Sequence, residues 1–397
     1  MKAGWKVKRL GELGSAIREQ AKIVPDVEYE LWSVPSFENG IPETAIGKDI
    51  GSAKLRIRPD DVLICKINPR INRIWLVGKP VNGCEQIGST EWLVYRAKSD
   101  AGLLLNWLIH FVSAPRFREW IVSEVSGATG SHTRAKADGI LQQEIPVPPL
   151  PEQHRIVGIL NSAFDGIATA TANAEKNLHN ARALFESYLQ SVFTQKDEGW
   201  IERRLGDVFD IGSSKRIRET EWTSSGVPFY GGKEIVKLAK FGSAVSNAYI
   251  SEEKYDGYAS KYDMPRKGDI LITARGTIGV GYVVKEGDKF YYKDGNIISF
   301  REKTPTNPFF VLYAFRSKPL IEQFADLTGT TVTHLPIERA KSLILKMPSF
   351  ATQNFVVDHL GNIENETQRL ESIYEQKLAA LDSLKKSLLH QAFTGQL

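Results

Sequence analysis

The chain has 397 residues, which is longer than a single hydrophobic core usually requires, so two or more domains are expected. Its 42% hydrophobic and 25% charged residues are typical of a folded protein, and neither an apolar run long enough to cross a bilayer nor a secretory signal is present. The net charge of +4 is the small difference between 51 basic and 47 acidic residues, and two cysteines are too few for a disulfide scaffold, so a reducing cytoplasm is expected.

The first part of the chain is predicted to be a mixed α+β domain. Val62–Ile67 and Glu91–Tyr95 are strand-like runs bounded by turn residues, and Leu103–Ser113 has the pattern of a helix. Between Lys54 and Lys79, seven basic residues stand against two acidic ones. This local excess suits a surface that faces phosphates and base edges, and a solvated strand and loop explains it equally well.

A long helix is expected after this domain. Prolines at positions 146, 148, 149 and 151 mark its start, because proline is not tolerated in a helix interior. From Ile156 to Tyr188, apolar or small residues recur at spacings of mostly four and three, which is the pattern of a coiled-coil seam.

The second half of the chain repeats this organisation. Strands are predicted at Ile270–Thr273, Tyr282–Lys285 and Asn296–Phe300, and a helix at Pro308–Ser317. Residues 345–394 then align without a gap with residues 145–194, at an offset of 200. Two equal apolar stripes in one chain most simply pack on each other. The predicted seam residues are Ile156, Leu160, Ile167, Leu178, Phe185, Val356, Leu360, Leu370, Leu378, Leu381 and Leu388.

Shorter motifs also recur in front of the two helices, whereas the sequences between these anchors diverge. The recurring motifs are a Trp-x4-Leu-Gly motif that ends in an acidic residue, a turn before a predicted strand, and a Gly/Thr-rich loop that ends in histidine. The three pairs begin at Trp5 and Trp200, at Pro59 and Lys267, and at Gly127 and Gly329.

The whole arrangement resembles the specificity subunit of type I restriction-modification systems. The resemblance is carried by the two Trp motifs, by IPVPPLPEQ (145–153) leading into a long helix, and by the helix ends at 193–194 and 393–395. The second helix start, MPSFATQ (347–353), departs from this pattern because it lacks the Pro-Pro pair and the glutamate.

The resemblance implies an α+β fold in which two mixed α/β target recognition domains are joined by two long helices. These helices form an antiparallel coiled coil, and the chain has a pseudo-twofold internal repeat. The predicted boundaries are 1–147 for the first domain, 148–197 for the central helix, 198–347 for the second domain and 348–397 for the C-terminal helix. Two unlike domains on similar helices are what a reader of a bipartite, asymmetric DNA site requires, whereas similar domains would read a palindrome.

The resemblance also implies the partners and the location. Double-stranded DNA would be bound by this chain, and two modification subunits that use S-adenosylmethionine would dock on the helices and methylate adenine. Restriction subunits would add ATP- and Mg-dependent translocation and cleavage. The chain itself would hold no cofactor, contact no membrane and work in the prokaryotic cytoplasm.

No catalytic motif is recognised in the sequence. Asn307-Pro308-Phe309-Phe310 comes nearest to an adenine methyltransferase motif, but it lacks the second proline and is better explained as the start of a helix. Glycines 276, 279 and 281 do not match a nucleotide-binding loop, and Pro59-Asp60 is better explained as a turn before a strand than as part of a nuclease motif. The seven histidines show no metal-ligand spacing, so neither a catalytic nor a metal site is expected.

Basic, amide and hydroxyl side chains in the divergent loops are therefore the candidates for DNA contact, since arginine pairs with guanine edges and asparagine with adenine edges. For the two histidines at matching positions, a structural hydrogen bond within the loop is the alternative. In the first domain the candidates are Lys66, Asn68, Arg70, Asn72, Arg73, Ser131, His132 and Arg134. In the second domain they are Lys215, Arg216, Arg218, Lys233, Arg275, Thr277, Thr330, Thr331 and His334.

Two other functions fit the same pattern. One is a specificity subunit of a related restriction system whose methylase and nuclease are fused in a single partner. The other is a coiled-coil scaffold that does not bind DNA. Salt-dependent DNA binding distinguishes the scaffold from the other two, because phosphate contacts make affinity fall steeply with salt.

Overall fold

A computed structural model describes residues 2–123, 125–126, 133–194, 199–262, 264–325 and 334–397. The chain divides into two compact units, the first formed by Met1–Glu175 with Glu375–Leu397 and the second by Lys176–Tyr374. The division falls inside both long helices. Each unit therefore contains one mixed domain, the start of the helix that follows this domain, and the end of the other long helix.

The first unit is built from short strands and helices followed by the start of a 45-residue helix. Its elements are β1 (Lys6–Arg9), α1 (Leu10–Leu13), β2 (Gly14–Ile17), β3 (Glu28–Trp32), α2 (Val34–Glu38), β4 (Glu43–Ile46), β5 (Lys54–Arg56), β6 (Val62–Cys65), β7 (Ile74–Leu76), β8 (Glu85–Ser89), β9 (Trp92–Ala97), α3 (Leu105–Ser113), α4 (Pro115–Ser123), β10 (Val125–Ser126), β11 (Arg134–Ala135), α5 (Ala137–Gln142), β12 (Glu144–Val147) and the long helix α6 (Leu150–Thr194). The end of the second long helix completes this unit.

The second unit repeats this plan after the end of α6. Its elements are β13 (Ile201–Arg204), α7 (Leu205–Val208), β14 (Phe209–Gly212), β15 (Val227–Tyr230), α8 (Gly232–Phe241), β16 (Tyr249–Ile250), α9 (Glu252–Ala259), β17 (Ile270–Thr273), β18 (Gly281–Val283), β19 (Tyr291–Tyr292), β20 (Ile297–Glu302), α10 (Pro308–Phe315), α11 (Lys318–Phe324), α12 (Ile337–Ser342), β21 (Ile344–Met347) and α13 (Phe350–Thr394). Its secondary structure thus confirms the predicted internal repeat.

The sheets of the two units correspond in order. An antiparallel sheet runs β2-β9-β6-β7 in the first unit and β14-β20-β17-β18 in the second. A second sheet accompanies it in each unit, β4-β3-β8-β5 in the first and β16-β15-β19 in the second, with one parallel pair, β3-β8 or β15-β19. A two-stranded ribbon, β1-β12 or β13-β21, joins the first strand of each domain to the strand directly before the long helix. The beginning and the end of each domain are therefore hydrogen-bonded to each other directly before the long helix.

The repeated Trp-x4-Leu-Gly motif lies at this pairing of the two domain ends. Leu10 and Leu205 are fully buried. A Cβ atom placed on Gly11 would lie 3.2 Å from the carbonyl oxygen of Leu141, and one on Gly206 would lie 3.0 Å from Cβ of Lys341. Both distances are shorter than ordinary Cβ contacts, so glycine allows the close approach of α1 to α5 and of α7 to α12. The motif is therefore structural.

The repeated turn before a strand has a buried ion pair in both units. The Asp61 carboxylate accepts hydrogen bonds at 2.7 Å from two nitrogens of Arg96 and one at 3.0 Å from the backbone N–H of Arg58. In the second unit Asp269 accepts from Arg301 and from the backbone N–H of Arg266 in the same way. This confirms the turn predicted at Pro59-Asp60 and explains why the aspartate recurs.

A glutamine in the first turn of each long helix docks the helix onto its own domain. Gln153 accepts a hydrogen bond from the backbone N–H of Leu104 at 2.8 Å and donates to the carbonyl of Pro148. Gln353 does the same with the N–H of Asn307 at 2.9 Å and the carbonyl of Pro348. Both amides are buried, so the glutamine shared by the two helix starts is explained by backbone groups that need a partner.

Glu152, which the second helix start lacks, makes contacts that are absent from the second copy. Its carboxylate binds Arg155 at 2.7 Å and Lys2 at 2.8 Å, and these hydrogen bonds lower the pKa of Glu152 to about 2. The corresponding residue in α13 is Thr352, whose backbone N–H donates to the Ser349 hydroxyl and whose own hydroxyl bonds the same Ser349 oxygen. The sequence difference between the helix starts therefore reflects different local partners.

The long helices run antiparallel within each unit. In the first unit Arg155 donates to the carbonyl of Leu397 at 2.8 Å, and further along the helix the Phe164 ring lies 5.3 Å from the ammonium of Lys385. As the residue number rises along α6, the residue number of its contact on α13 falls. The predicted antiparallel arrangement is confirmed.

The same direction holds in the second unit. The Tyr188 ring lies 5.3 Å from the His359 ring, and Arg182 binds Glu371 at 3.1 Å. Again the number on one helix rises as the other falls. Each unit thus carries its own stretch of antiparallel helix pair.

Most predicted seam residues are shielded from solvent, but one is not. Leu370 is 36% exposed, so its assignment to the seam is wrong. Thr367, one turn earlier, is only 4% exposed and takes the inward position, although its hydroxyl finds no hydrogen-bond partner among the described residues. The buried seam residues are Ile156, Leu160, Phe185 and Leu360, and the half-buried ones are Ile167, Leu178, Val356, Leu378, Leu381 and Leu388.

The predicted strands and helices of the domains are confirmed to within about two residues. Ile270–Thr273 is found as predicted, and the predicted helix at Pro308–Ser317 ends at Phe315. Asn307 caps that helix by accepting a hydrogen bond from the backbone N–H of Phe309 at 2.9 Å. The methylase-like tetrapeptide is therefore a helix start, as predicted.

Candidate DNA interface

The second unit contains an open cleft of about 910 Å³. Five basic side chains line it against two acidic ones, so the lining has an excess of three positive charges. The basic residues are Arg216, Arg218, Lys233, Arg275 and Lys293, and the acidic residues are Glu219 and Asp294.

Four chain segments form the walls of this cleft. They are residues 216–222 before β15, the start of α8, the turn between β17 and β18, and the turn between β19 and β20. Gly276 and Gly279 have φ angles of 73° and 87° in the β17–β18 turn, which is a conformation that glycine adopts without strain. The turn thereby presents Arg275 and Thr277 at the surface, and both are exposed.

Five of the residues predicted to contact DNA meet in the cleft. Arg216, Arg218, Lys233 and Arg275 are exposed, and none of them forms an ion pair with another described residue. Thr277 lies beside Arg275 in the same turn. Basic groups in excess over acidic ones on one concave surface attract an anion, so the charge of this cleft suits a ligand with phosphate groups.

Lys215 and His334 lie close to this lining without being part of it. The Lys215 ammonium lies 5.6 Å from the ring centroid of Tyr262. A ring nitrogen of His334 is 3.2 Å from the carbonyl oxygen of Ala274, which favours the structural hydrogen bond given above as the alternative. His334 also pairs by a backbone bridge with Arg275, so it holds the cleft turn in place.

Sequence reasoning missed other residues of the lining, among them Trp222, Lys293 and Asn296. Lys293 pairs with Glu219 at 3.9 Å and lies over the ring of Trp222, and Asn296 completes the wall. The indole N–H of Trp222 is buried and has no hydrogen-bond partner among the described residues. The signal that could have found Lys293 and Asn296 is the KDGN run (293–296) at the start of the predicted strand Asn296–Phe300, because this run carries both charged and amide groups.

In the first unit the structure also joins two predicted segments. Residue Ile67 forms a backbone bridge with Arg134, and the backbone N–H of Asn68 donates to the carbonyl of Thr133 at 2.9 Å. The bridge between Arg275 and His334 in the second unit is the counterpart of this pairing. In both units, therefore, the segment after β6 or β17 pairs with the segment that leads into α5 or α12.

Three of the first-domain candidates have side chains that are already engaged by other parts of the domain. Asn72 donates to the carbonyl of Val112 at 2.9 Å, Arg73 binds Glu38 at 2.7 Å, and Arg134 binds Glu91 at 2.6 Å. Lys66 is half-buried, and burial lowers its pKa.

Arg70 and Asn68 remain at the tip of this loop. Arg70 is exposed and has no ion-pair partner in the described ranges, and Asn68 has a φ angle of 46°. Among the first-domain candidates, Arg70 is therefore the side chain best placed to reach a ligand. Ser131, His132, Thr330 and Thr331 lie outside the described residues.

Two further searches of the described residues gave no site. No group of three or more His, Cys, Asp or Glu side chains in these ranges could hold a metal ion. No described helix is both long and apolar enough to span a membrane.

Comparison with known proteins connects the fold and the cleft to a family. The sequence model of the type I restriction modification DNA specificity domain matches residues 197–379, which include all the cleft residues. A putative type I restriction enzyme specificity subunit of Haemophilus influenzae is 32% identical over 272 residues, an alignment that covers 67% of this chain and 66% of that relative. The chain belongs to the type I specificity family.

The family resemblance extends over the remaining sequence and the fold. The MjaVIII specificity subunit of Methanocaldococcus jannaschii is 22% identical over 421 residues, which covers 99% of this chain and 93% of that protein. A solved chain described in connection with complex assembly and conformational transition of the type I restriction-modification system superposes with a TM-score of 0.79. It is 22% identical, and the match covers 100% of this chain and 99% of that one, so the fold is that of the specificity family throughout.

Proposed function

We propose that this chain reads a bipartite, asymmetric DNA site. Each compact unit contributes one recognition domain, and the two domains differ from each other. As a member of the type I specificity family it is a sequence-specific recognition subunit and not an enzyme. The observation that carries the proposal is the open cleft of the second unit, where four basic side chains meet that form no ion pair with any described residue. The proposed recognition domains are residues 1–147 and 198–347, and the proposed helical segments are 148–197 and 348–397.

In this proposal the partners supply all the chemistry. Two modification subunits dock on the helix pair and use S-adenosylmethionine to methylate adenine, and restriction subunits use ATP and Mg²⁺. The complex acts in the prokaryotic cytoplasm. A fused methylase-nuclease partner would leave the role of this chain unchanged. The charge and openness of the cleft argue against the scaffold that does not bind DNA.

Binding of mixed-sequence duplex DNA to the purified chain across a salt series tests this function. Each phosphate neutralised by a lysine or arginine contributes about 0.9 to the slope of log affinity against log salt. We expect a steep slope, and no methylation or cleavage by the chain supplied with S-adenosylmethionine alone. Absence of salt-dependent binding would support the scaffold instead.

Arg275 is expected to read a base. Because a bidentate guanidinium contact discriminates between bases, Arg275→Ala should cost about 1–3 kcal/mol on the target site and relax specificity in one half-site only. Competition binding against half-site variants measures this effect. Arg275→Lys is the matched control, since it keeps the charge but loses the fork geometry, so it should relax the same half-site. An equal loss on every sequence would make Arg275 a phosphate contact.

A further inference from the structure

Helix α8 begins at the cleft and carries a row of lysines away from it. Lys233, Lys237 and Lys240 are exposed and follow one another at spacings of four and three residues. At 3.6 residues per turn these positions lie within about 60° of one face. The opposite face holds Ile235 and Leu238, which are buried against the sheet. The row is therefore directed outward by the packing of the helix.

A fourth lysine extends the row beyond the end of the helix. The ammonium of Lys285 lies 3.9 Å from the position that a Cβ atom of Gly242 would occupy, and Gly242 caps α8 in the left-handed conformation. Lys285 is exposed. None of Lys237, Lys240 and Lys285 forms an ion pair in the described part of the chain.

The acidic side chains near this row are already engaged. The Glu234 carboxylate accepts a hydrogen bond from the backbone N–H of Gly231 at 2.9 Å and so caps the start of α8. Asp288 accepts from the hydroxyl of Tyr282 and from the backbone N–H of Lys285. Glu286 pairs with Lys267. Glu234 and Asp288 keep their negative charges because their donors are neutral, whereas Glu286 is paired with a lysine. The four lysines outnumber these two carboxylates, so this face has a net positive charge.

The geometry points to a phosphate track: Lys237, Lys240 and Lys285 continue the basic cleft and bind the sugar-phosphate backbone of one DNA strand. This inference rests on the proposed function and adds the path of the DNA across the second domain. From Lys233 to Lys240 the helix rises about 10.5 Å at 1.5 Å per residue. Successive phosphates of one strand are about 3.4 Å apart along the DNA axis, so the helix spans roughly three of them.

The track assigns different tasks to the two parts of the surface. Lysine is a flexible point charge suited to phosphate, whereas the arginines in the cleft have the fork geometry that reads base edges. The lysines of α8 set position and affinity, and the cleft sets sequence. Loss of the lysines should therefore weaken binding to all DNA sequences alike.

The test compares two triple variants of the full chain with the wild type. Lys237→Ala/Lys240→Ala/Lys285→Ala removes the track, and Lys176→Ala/Lys318→Ala/Lys377→Ala removes three exposed lysines located elsewhere. Fluorescence anisotropy with a mixed-sequence duplex gives the salt slope of each protein, and circular dichroism checks that each variant is folded.

We expect the slope of the track variant to fall by about 2.7, at about 0.9 for each lost phosphate contact, while the control variant keeps the wild-type slope. A track variant with the wild-type slope would overturn the track, and so would an equal fall in the control variant. If the wild type itself shows no salt-dependent binding, the proposed function fails and not only the track.

Discussion

Asp61→Ala should destabilise the first unit by about 3 kcal/mol. The Asp61 side chain is fully buried, and its removal leaves the Arg96 guanidinium and the backbone N–H of Arg58 without their acceptor. Removing one partner of a buried ion pair costs about 3–5 kcal/mol, and the lower value applies here because Arg96 keeps 22% of its side chain in solvent. Calorimetric unfolding of the full chain measures the loss.

Two further variants separate the loss of stability caused by breaking the ion pair from the effect of removing a charge in general. Asp60→Asn removes the neighbouring exposed carboxylate at a residue whose φ of 72° asparagine tolerates, so it should change stability by less than about 0.5 kcal/mol. The double variant Asp61→Ala/Arg96→Ala should be less destabilised than the sum of the single variants, because no buried charge is left unpaired. Strictly additive effects would show that the pair contributes nothing.

Leu360→Asp is expected to open the helix pair of the second unit. Leu360 is fully buried in the cluster that contains Phe185 and Leu189 of the other helix. An unpaired carboxylate placed there costs several kcal/mol or forces local opening. Unfolding of the variant and its co-elution with modification subunits in size-exclusion chromatography measure the two consequences, and both stability and assembly should be lost.

The chain provides a matched control on the same helix. Leu370→Asp introduces the same charge at a leucine that is 36% exposed, so stability should change by less than about 0.5 kcal/mol. If Leu370→Asp were as damaging as Leu360→Asp, Leu370 would belong to a buried contact after all.

The repeat was the most predictable part of the fold. The offset of 200 between the helices places Gln153 and Gln353 in the same role, and the strand and helix patterns located the domains. Leu370 was misplaced because a pattern search prefers leucine over threonine at an inward position. Packing decides between neighbouring residues of a stripe, and here it buries Thr367.

The candidate residues for DNA contact were more predictable in the second unit than in the first. The Arg275 turn was found because a Gly-rich turn after a buried strand displays its side chains. Asn72 and Arg73 have the right residue types, but Val112 and Glu38 are far away in sequence and engage them only in the folded chain. Lys237 and Lys240 of α8 were missed because no helix was predicted there, and only a helix places them on the same face as Lys233.

Mapping of methylated adenines tests the central claim most directly, in cells that carry the modification subunits with either the wild-type chain or the Arg275→Ala variant. Wild-type cells should methylate a site with two unlike half-sites around a fixed spacer. In the variant one half-site should become degenerate while the other half-site and the spacer stay unchanged. A palindromic or continuous site, or methylation that persists without this chain, would contradict the account.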